Sequence, residues 1–154
     1  LNVIPDSCEI KGTVRTFTTE VLDLVERRMK TIAESTCAAF EAGCEFQFHR
    51  NYPPTVNHPA ETEFARVLLG EVVGPENVLD FEPTMGSEDF SYFLQEKPGC
   101  YFLIGNGDGA HRQGGHGLGP CMLHNPSYDF NDELIPLGAT AWVRLAEKWL
   151  ATKR

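Results

Sequence analysis

Residues 8–50 read CEIKGTVRTF, TTEVLDLVERRMKTIAESTCAAFEAG and CEFQFHR in succession, and their periodicity changes twice. In 8–17, Cys8, Ile10, Gly12, Val14 and Thr16 alternate with Glu9, Lys11, Thr13 and Arg15. A period of two predicts a half-buried strand. Thr18 or Thr19 can cap a helix with Glu20 in its first turn. Val21, Leu22, Val25, Met29, Ile32, Ala33, Cys37 and Phe40 then recur at helical spacing, and Gly43 is the expected stop. Cys44, Phe46 and Phe48 alternate again with Glu45, Gln47 and His49. Strand, helix, strand is half of a small ferredoxin-like α/β sandwich. Half a sandwich leaves a sheet edge and an apolar face uncovered. Together with Leu1 in place of Met, this gives the expectation that the chain is cut from something longer.

Downstream, residues 51–57 carry Pro53 and Pro54 and form a stiff extended connection, the expected domain boundary. A helix should open near Pro59 with Phe64, Val67, Leu68 and Val72 as its stripe, ending at Gly74-Pro75. Residues 78–81 suggest a short strand, and Ser87 should cap a helix running to about Glu96. Residues 100–104 are wholly apolar, as in a strand buried on both faces. The last helix should run from about Asp132 to Thr152 and turn Leu134, Ile135, Ala139, Trp142, Leu145, Ala146 and Trp149 inward. Strands alternating with helices predict the α/β class.

Composition narrows the function. The 154 residues are 42% apolar, enough to build a core, and 23% charged. A formal charge of -9 opposes phosphate backbones, so nucleic-acid binding is excluded as a general role. Cysteines at 8, 37, 44, 100 and 121 are odd in number and lack a C-x-x-C spacing. That pattern suits reduced thiols and a cytoplasmic location. No signal peptide, long apolar run or lipidation motif is seen, so no membrane partner is expected.

The stretch 105–129 holds Asp108, His111, His116, His124 and Asp129 among glycines, directly after the 100–104 run. Long loops after a buried strand are where α/β folds place their sites. Neutral imidazole is the commonest metal ligand near neutral pH. A solvated loop with incidental histidines is the alternative. His124 is the strongest candidate, because apolar Met122 and Leu123 precede it and Asn125-Pro126 follows. His111 and His116 lie among glycines and carry less weight.

Five segments resemble one family of dinuclear-metal peptidases and amidohydrolases: NVIPD at 2–6, GTVRTF at 12–17, YPPTVNH at 52–58, GSEDF at 86–90 and HNPSYDFND at 124–132. The family includes hippurate hydrolase, indole-acetyl-amino-acid hydrolases and glutamate carboxypeptidases, and the resemblance is closest to the hippurate hydrolase branch of N-acyl amino acid amidohydrolases. Each motif alone is weak, but five in order along the chain are not.

The resemblance implies a catalytic α/β metallopeptidase-like domain interrupted by an inserted lid. Residues 1–52 would be the C-terminal part of the ferredoxin-like lid, or dimerisation, domain, and 53–154 the C-terminal part of the catalytic domain. His124 matches the last ligand of a pair of divalent ions (Zn, Mn, Ni or Co), a pair left incomplete in this chain. The other ligands and the glutamate general base are expected upstream, so no catalytic residue is assigned here and the chain alone should be inactive. Asn2 and Arg15 match lid positions that grip the substrate carboxylate or the cleaved carbonyl, and a guanidinium fork suits a carboxylate. Glu88 matches a position near the active site, and His124 is expected at a cleft edge beside it.

The implied chemistry is hydrolysis of the amide of N-acyl amino acids by a metal-held water, whose pKa falls from about 15.7 toward about 7. A homodimer through the lid is expected. The alternatives are a non-catalytic association module on the same fold, or a carboxypeptidase or deacetylase of the same family. The run 111–117 looks longer than the family's usual connection and could shape an acyl pocket or be disordered surface.

Overall fold

The computed structural model describes residues 2–112 and 123–152. His116, Cys121 and positions 113–117 of the long loop lie outside the described residues. Among the described residues there are four α-helices, α1 (Thr19–Ala39), α2 (Pro59–Val73), α3 (Phe90–Glu96) and α4 (Leu134–Ala151), and one 3-10 turn at Pro75–Asn77. The chain divides into two compact units. One comprises Leu1–Val56 and Glu82–Glu96, the other Asn57–Phe81 and Lys97–Arg154.

In the first unit, Thr18 caps α1: its hydroxyl accepts the Val21 N–H at 3.3 Å, and Glu20 complements the helix dipole. Leu22, Val25, Ala33 and Cys37 are half-buried along one stripe, while Met29 and Ile32 of the expected stripe are exposed. The helix stops earlier than Gly43. Glu41 takes a left-handed φ of 57°, its N–H donates to Ala38 O at 3.1 Å, and Ala42 N–H donates to Cys37 O at 2.9 Å. That pair of bonds is a Schellman motif with glutamate where glycine is usual. Arg50 then ties the following segment back to α1, bonding Glu26 through Nε at 2.8 Å and Asp23 through Nη2 at 2.7 Å. The two carboxylates, Glu26 first, push the guanidinium pKa still higher.

Residues 82–96 join this unit through Tyr92, whose ring meets Tyr52 edge-on at 5.8 Å and whose hydroxyl donates to Asn51 O. Ser91 and Leu94 of α3 are its buried side chains. α3 ends two residues before Pro98, where the helical conformation becomes unfavourable.

In the second unit, Pro59 opens α2 at the first helical position, where a missing N–H costs nothing. Gly74, at φ 89°, ends it with a backbone conformation that side chains rarely adopt. α2 and α4 pack together, burying Ala65 and Leu68 on one side and Ala141 on the other. Phe64 meets Trp149 edge-on at 5.5 Å, and Trp142 lies 5.6 Å from Phe102. The expected faces hold in part: Phe64, Leu68 and Val72 of α2 and Leu134 and Leu145 of α4 are covered to some degree. Val67, Ile135 and Trp142 are exposed, whereas Leu134, Leu137, Ala141 and Leu145 line the covered side of α4. α4 is apolar around a wider arc than one neighbouring helix can cover.

The strands expected over 8–17, 44–48, 78–81 and 100–104 are not formed among the described residues. Alternation prepares a pleated face, but a strand exists only where a neighbour supplies ladder partners. Ile10 is 92% exposed and Leu79 78% exposed, so these segments are extended chain without a covering layer. The run 100–104 is not buried on both faces either, since Leu103 is 55% exposed.

Side chains take over the pairing at that run. Asn57 donates through Nδ2 to Tyr101 O at 2.7 Å and accepts the Tyr101 N–H on Oδ1 at 2.8 Å. His58 donates its backbone N–H to Gly99 O at 3.0 Å and accepts the Gly99 N–H on Nδ1 at 3.2 Å. Two consecutive residues thus do for 99–101 what a neighbouring strand would do.

Candidate functional site

Arg15 stands exposed on the extended 8–17 segment, between half-buried Val14 and Thr16. Its Nη1 donates to the carbonyl of Met85 at 2.7 Å, across 70 residues of sequence. Three positions further on, Glu88 is half-buried at the entry to α3. Its carboxylate accepts the Phe90 N–H at 3.4 Å, and its carbonyl accepts the Ser91 hydroxyl at 2.7 Å. The side-chain bond at the entry of this helix therefore comes from Glu88, where Ser87 was expected. For a helix that begins at Phe90 the capping position is Asp89, two residues beyond Ser87. Asn2 is exposed in the same unit. The first unit thus brings Arg15 to the segment that carries Glu88.

His124 belongs to the second unit, exposed and held at φ 67°. A non-glycine residue in the left-handed region costs of order 1–3 kcal/mol and persists only where its surroundings dictate it. The turn behind it is well fastened. Asn125 Oδ1 accepts the Ser127 N–H at 3.0 Å and the Ser127 hydroxyl at 2.5 Å, and Tyr128 N–H donates to Asn125 O at 2.9 Å. Arg112 Nη2 donates to Ser127 O at 3.1 Å. His111 Nε2 and Asn106 Nδ2 both meet Asp129 O at 2.9 Å, and Asn131 N–H donates to Asn106 Oδ1 at 2.9 Å.

Reading the sequence alone missed Asn106, Asn57 and His58 as organisers. Asparagine beside glycine after an apolar run, and Asn-His ahead of an N1 proline, were the available signals. His111, weighed there as a ligand, is engaged with main chain.

No three His, Cys, Asp or Glu side chains among the described residues form a group that could hold a metal ion. His124 is one imidazole, and even a single zinc takes three or four protein ligands. The described residues therefore do not make up a metal centre by themselves. A cavity of about 220 Å³ is lined by Glu63, Phe64, Val67, Leu68, Glu71 and Lys148, none of them a candidate site residue. No described helix is long and apolar enough to cross a membrane.

The order of the five segments is matched by a direct comparison: the model of Peptidase family M20/M25/M40 aligns with residues 6–148. The chain belongs to this family. Relatives include thermostable carboxypeptidase 1 of Saccharolobus solfataricus, 35% identical over 96% of this chain and 36% of that protein. The putative amidohydrolase YhaA of Bacillus subtilis is 34% identical over 87% of the chain and 32% of its own length. The IAA-amino acid hydrolase ILR1-like 4 of Arabidopsis thaliana is 31% identical over 97% and 33%. The chain spans about a third of the length of these relatives. Membership of this peptidase family fits an α/β metallopeptidase fold, of which the described residues supply helices. Hydrolysis of amide and peptide bonds is the chemistry of these relatives, whose names are those of hydrolases.

Proposed function

We propose that the complete protein carrying this chain is a metal-dependent amidohydrolase that cleaves the amide bond of N-acyl amino acids, hippurate-like substrates among them. The observation that carries the reading is the family match over residues 6–148, which contains every candidate site residue except Asn2. The likeness to an amidohydrolase and to an amino-acid-conjugate hydrolase favours this branch. Residues 1–52 contribute the end of a lid and dimerisation domain, and 53–154 the end of a catalytic domain. His124 is one ligand of the divalent metals, and its left-handed backbone and fastened turn suit a residue held in place for a task. The remaining ligands and the general base lie outside this chain. Arg15 offers its fork of donors to the substrate carboxylate. Asn2 is a second donor, and Glu88 belongs to the pocket. The protein forms a homodimer through the lid. The free thiols of Cys8, Cys37, Cys44 and Cys100 fit a cytoplasmic setting.

The test is His124→Ala in the complete protein, assayed for bound metal and for release of glycine from hippurate. Activity should fall roughly a hundredfold or more, with the fold kept and metal lost. His124→Asn, which tolerates the left-handed backbone better, should lose as much. Near-normal activity with full metal content would remove His124 from the mechanism. A carboxypeptidase is the second reading, favoured by the 35% identity to one. Faster release of a C-terminal residue from an unblocked peptide than from the N-acyl amino acid would establish it.

A further inference from the structure

We propose that Arg15 is a positioning residue for Glu88: by anchoring the Met85 carbonyl it sets the segment that presents the Glu88 carboxylate. This rests on the reading above in which Glu88 belongs to the pocket. Residues 82–87 are exposed, and a Cβ at Gly86 would meet little beyond the Thr84 hydroxyl at 3.6 Å. Packing therefore does little to hold this segment. From Glu88 onward the backbone is restrained by the bonds that start α3, from Ser91 to Glu88 O and from Tyr92 to Asp89 O. Upstream of that point, the 2.7 Å bond from Arg15 ties the segment to the rest of its unit. It is charge-assisted, a class about twice as strong as neutral hydrogen bonds.

A guanidinium has five N–H donors in a rigid fork, so an arginine that bonds Met85 through Nη1 keeps others for a ligand. A carboxylate gripped by Arg15 would be registered against the 85–88 segment through one rigid group. The residue then has two separable duties, one toward the substrate carboxylate and one toward Glu88, and they predict different kinetic signatures.

The experiment compares Arg15→Ala, Arg15→Lys, Glu88→Gln and Arg15→Ala with Glu88→Gln in the complete protein. Two substrates are used: the N-acylglycine turned over fastest, and the matching N-acyl methylamine, which lacks the carboxylate. Amide hydrogen exchange over 85–88 is measured in parallel. Arg15→Ala should lower kcat on both substrates by about ten- to a hundredfold and speed exchange over 85–88. Arg15→Lys, which restores a single cationic donor, should recover most of kcat and slow the exchange again, while KM for the N-acylglycine stays raised. Arg15→Ala and Glu88→Gln should combine to less than the product of their separate effects. Unchanged exchange over 85–88 in Arg15→Ala would overturn the proposal, as would a loss confined to KM for the carboxylate substrate. Wild-type activity in Glu88→Gln would instead sink the pocket reading of Glu88, and the exchange data would still judge the anchor.

Discussion

Glu41 occupies the left-handed position that closes α1, at φ 57°, where glycine bears no steric penalty. Glu41→Gly should therefore stabilise the chain by roughly 0.5–1 kcal/mol, less whatever glycine adds to the freedom of the unfolded state. Urea denaturation would show it as a higher midpoint at unchanged slope; a lower midpoint would mean the Glu41 side chain matters more than its backbone. Just beyond the turn, desolvation, the neighbouring Cys37 thiol and then the Glu34 carboxylate push the Cys44 thiol pKa upward. A raised pKa in the folded state favours the protonated form. The resulting stabilisation is full below the ordinary thiol range and is lost as pH climbs through the raised value. Since the thiolate is the nucleophile, Cys44 should alkylate with iodoacetamide more slowly than Cys8 at pH 8, although both are exposed. Cys37→Ala should narrow the difference, and equal rates in the parent chain would contradict the shift.

At the scale of elements, the pairing of Asn57 and His58 with 99–101 is the most informative contact in the second unit. Asn57→Ala removes both bonds to Tyr101, each worth about 0.5–1.5 kcal/mol in this exposed position. The Tyr101 amide should then exchange much faster with solvent, and unchanged protection would show that another group holds it. The helices were legible because their signals are local: the Thr18 cap, the 3.6 spacing through Cys37, and Pro59 at the first position of α2. The strands were not. Alternation at Cys8, Ile10 and Gly12 names a face but not the chain that pairs with it. The candidate site divides in the same way. Arg15 is picked out by the family resemblance and not by the alternation, which sets Lys11 on the same face, whereas its partner Met85 lies 70 positions away. The left-handed backbone of His124 had no glycine to announce it.

For the whole molecule, the governing fact is how little is fully covered. Among the described residues, Ala65, Leu68, Leu94 and Ala141 are the apolar side chains in the buried class, and α1 contributes none. Phe40 is 81% exposed, and Trp142 and Leu150 are 64% exposed. Exposed apolar side chains in each unit fit the homodimer proposed above, which would cover some of them. The chain should accordingly run at twice its monomer mass or more in light scattering, and a clean monomer at high concentration would refute the proposed dimer. The division into units has a further consequence, for synthesis on the ribosome. The first unit is built from Leu1–Val56 and Glu82–Glu96, so its opening stretch emerges before the piece that completes it exists. At roughly 5–20 residues per second, the intervening chain takes seconds to be made. For that interval Arg15 and Tyr52 wait on the nascent chain for Met85 and Tyr92, the groups they meet in the finished unit.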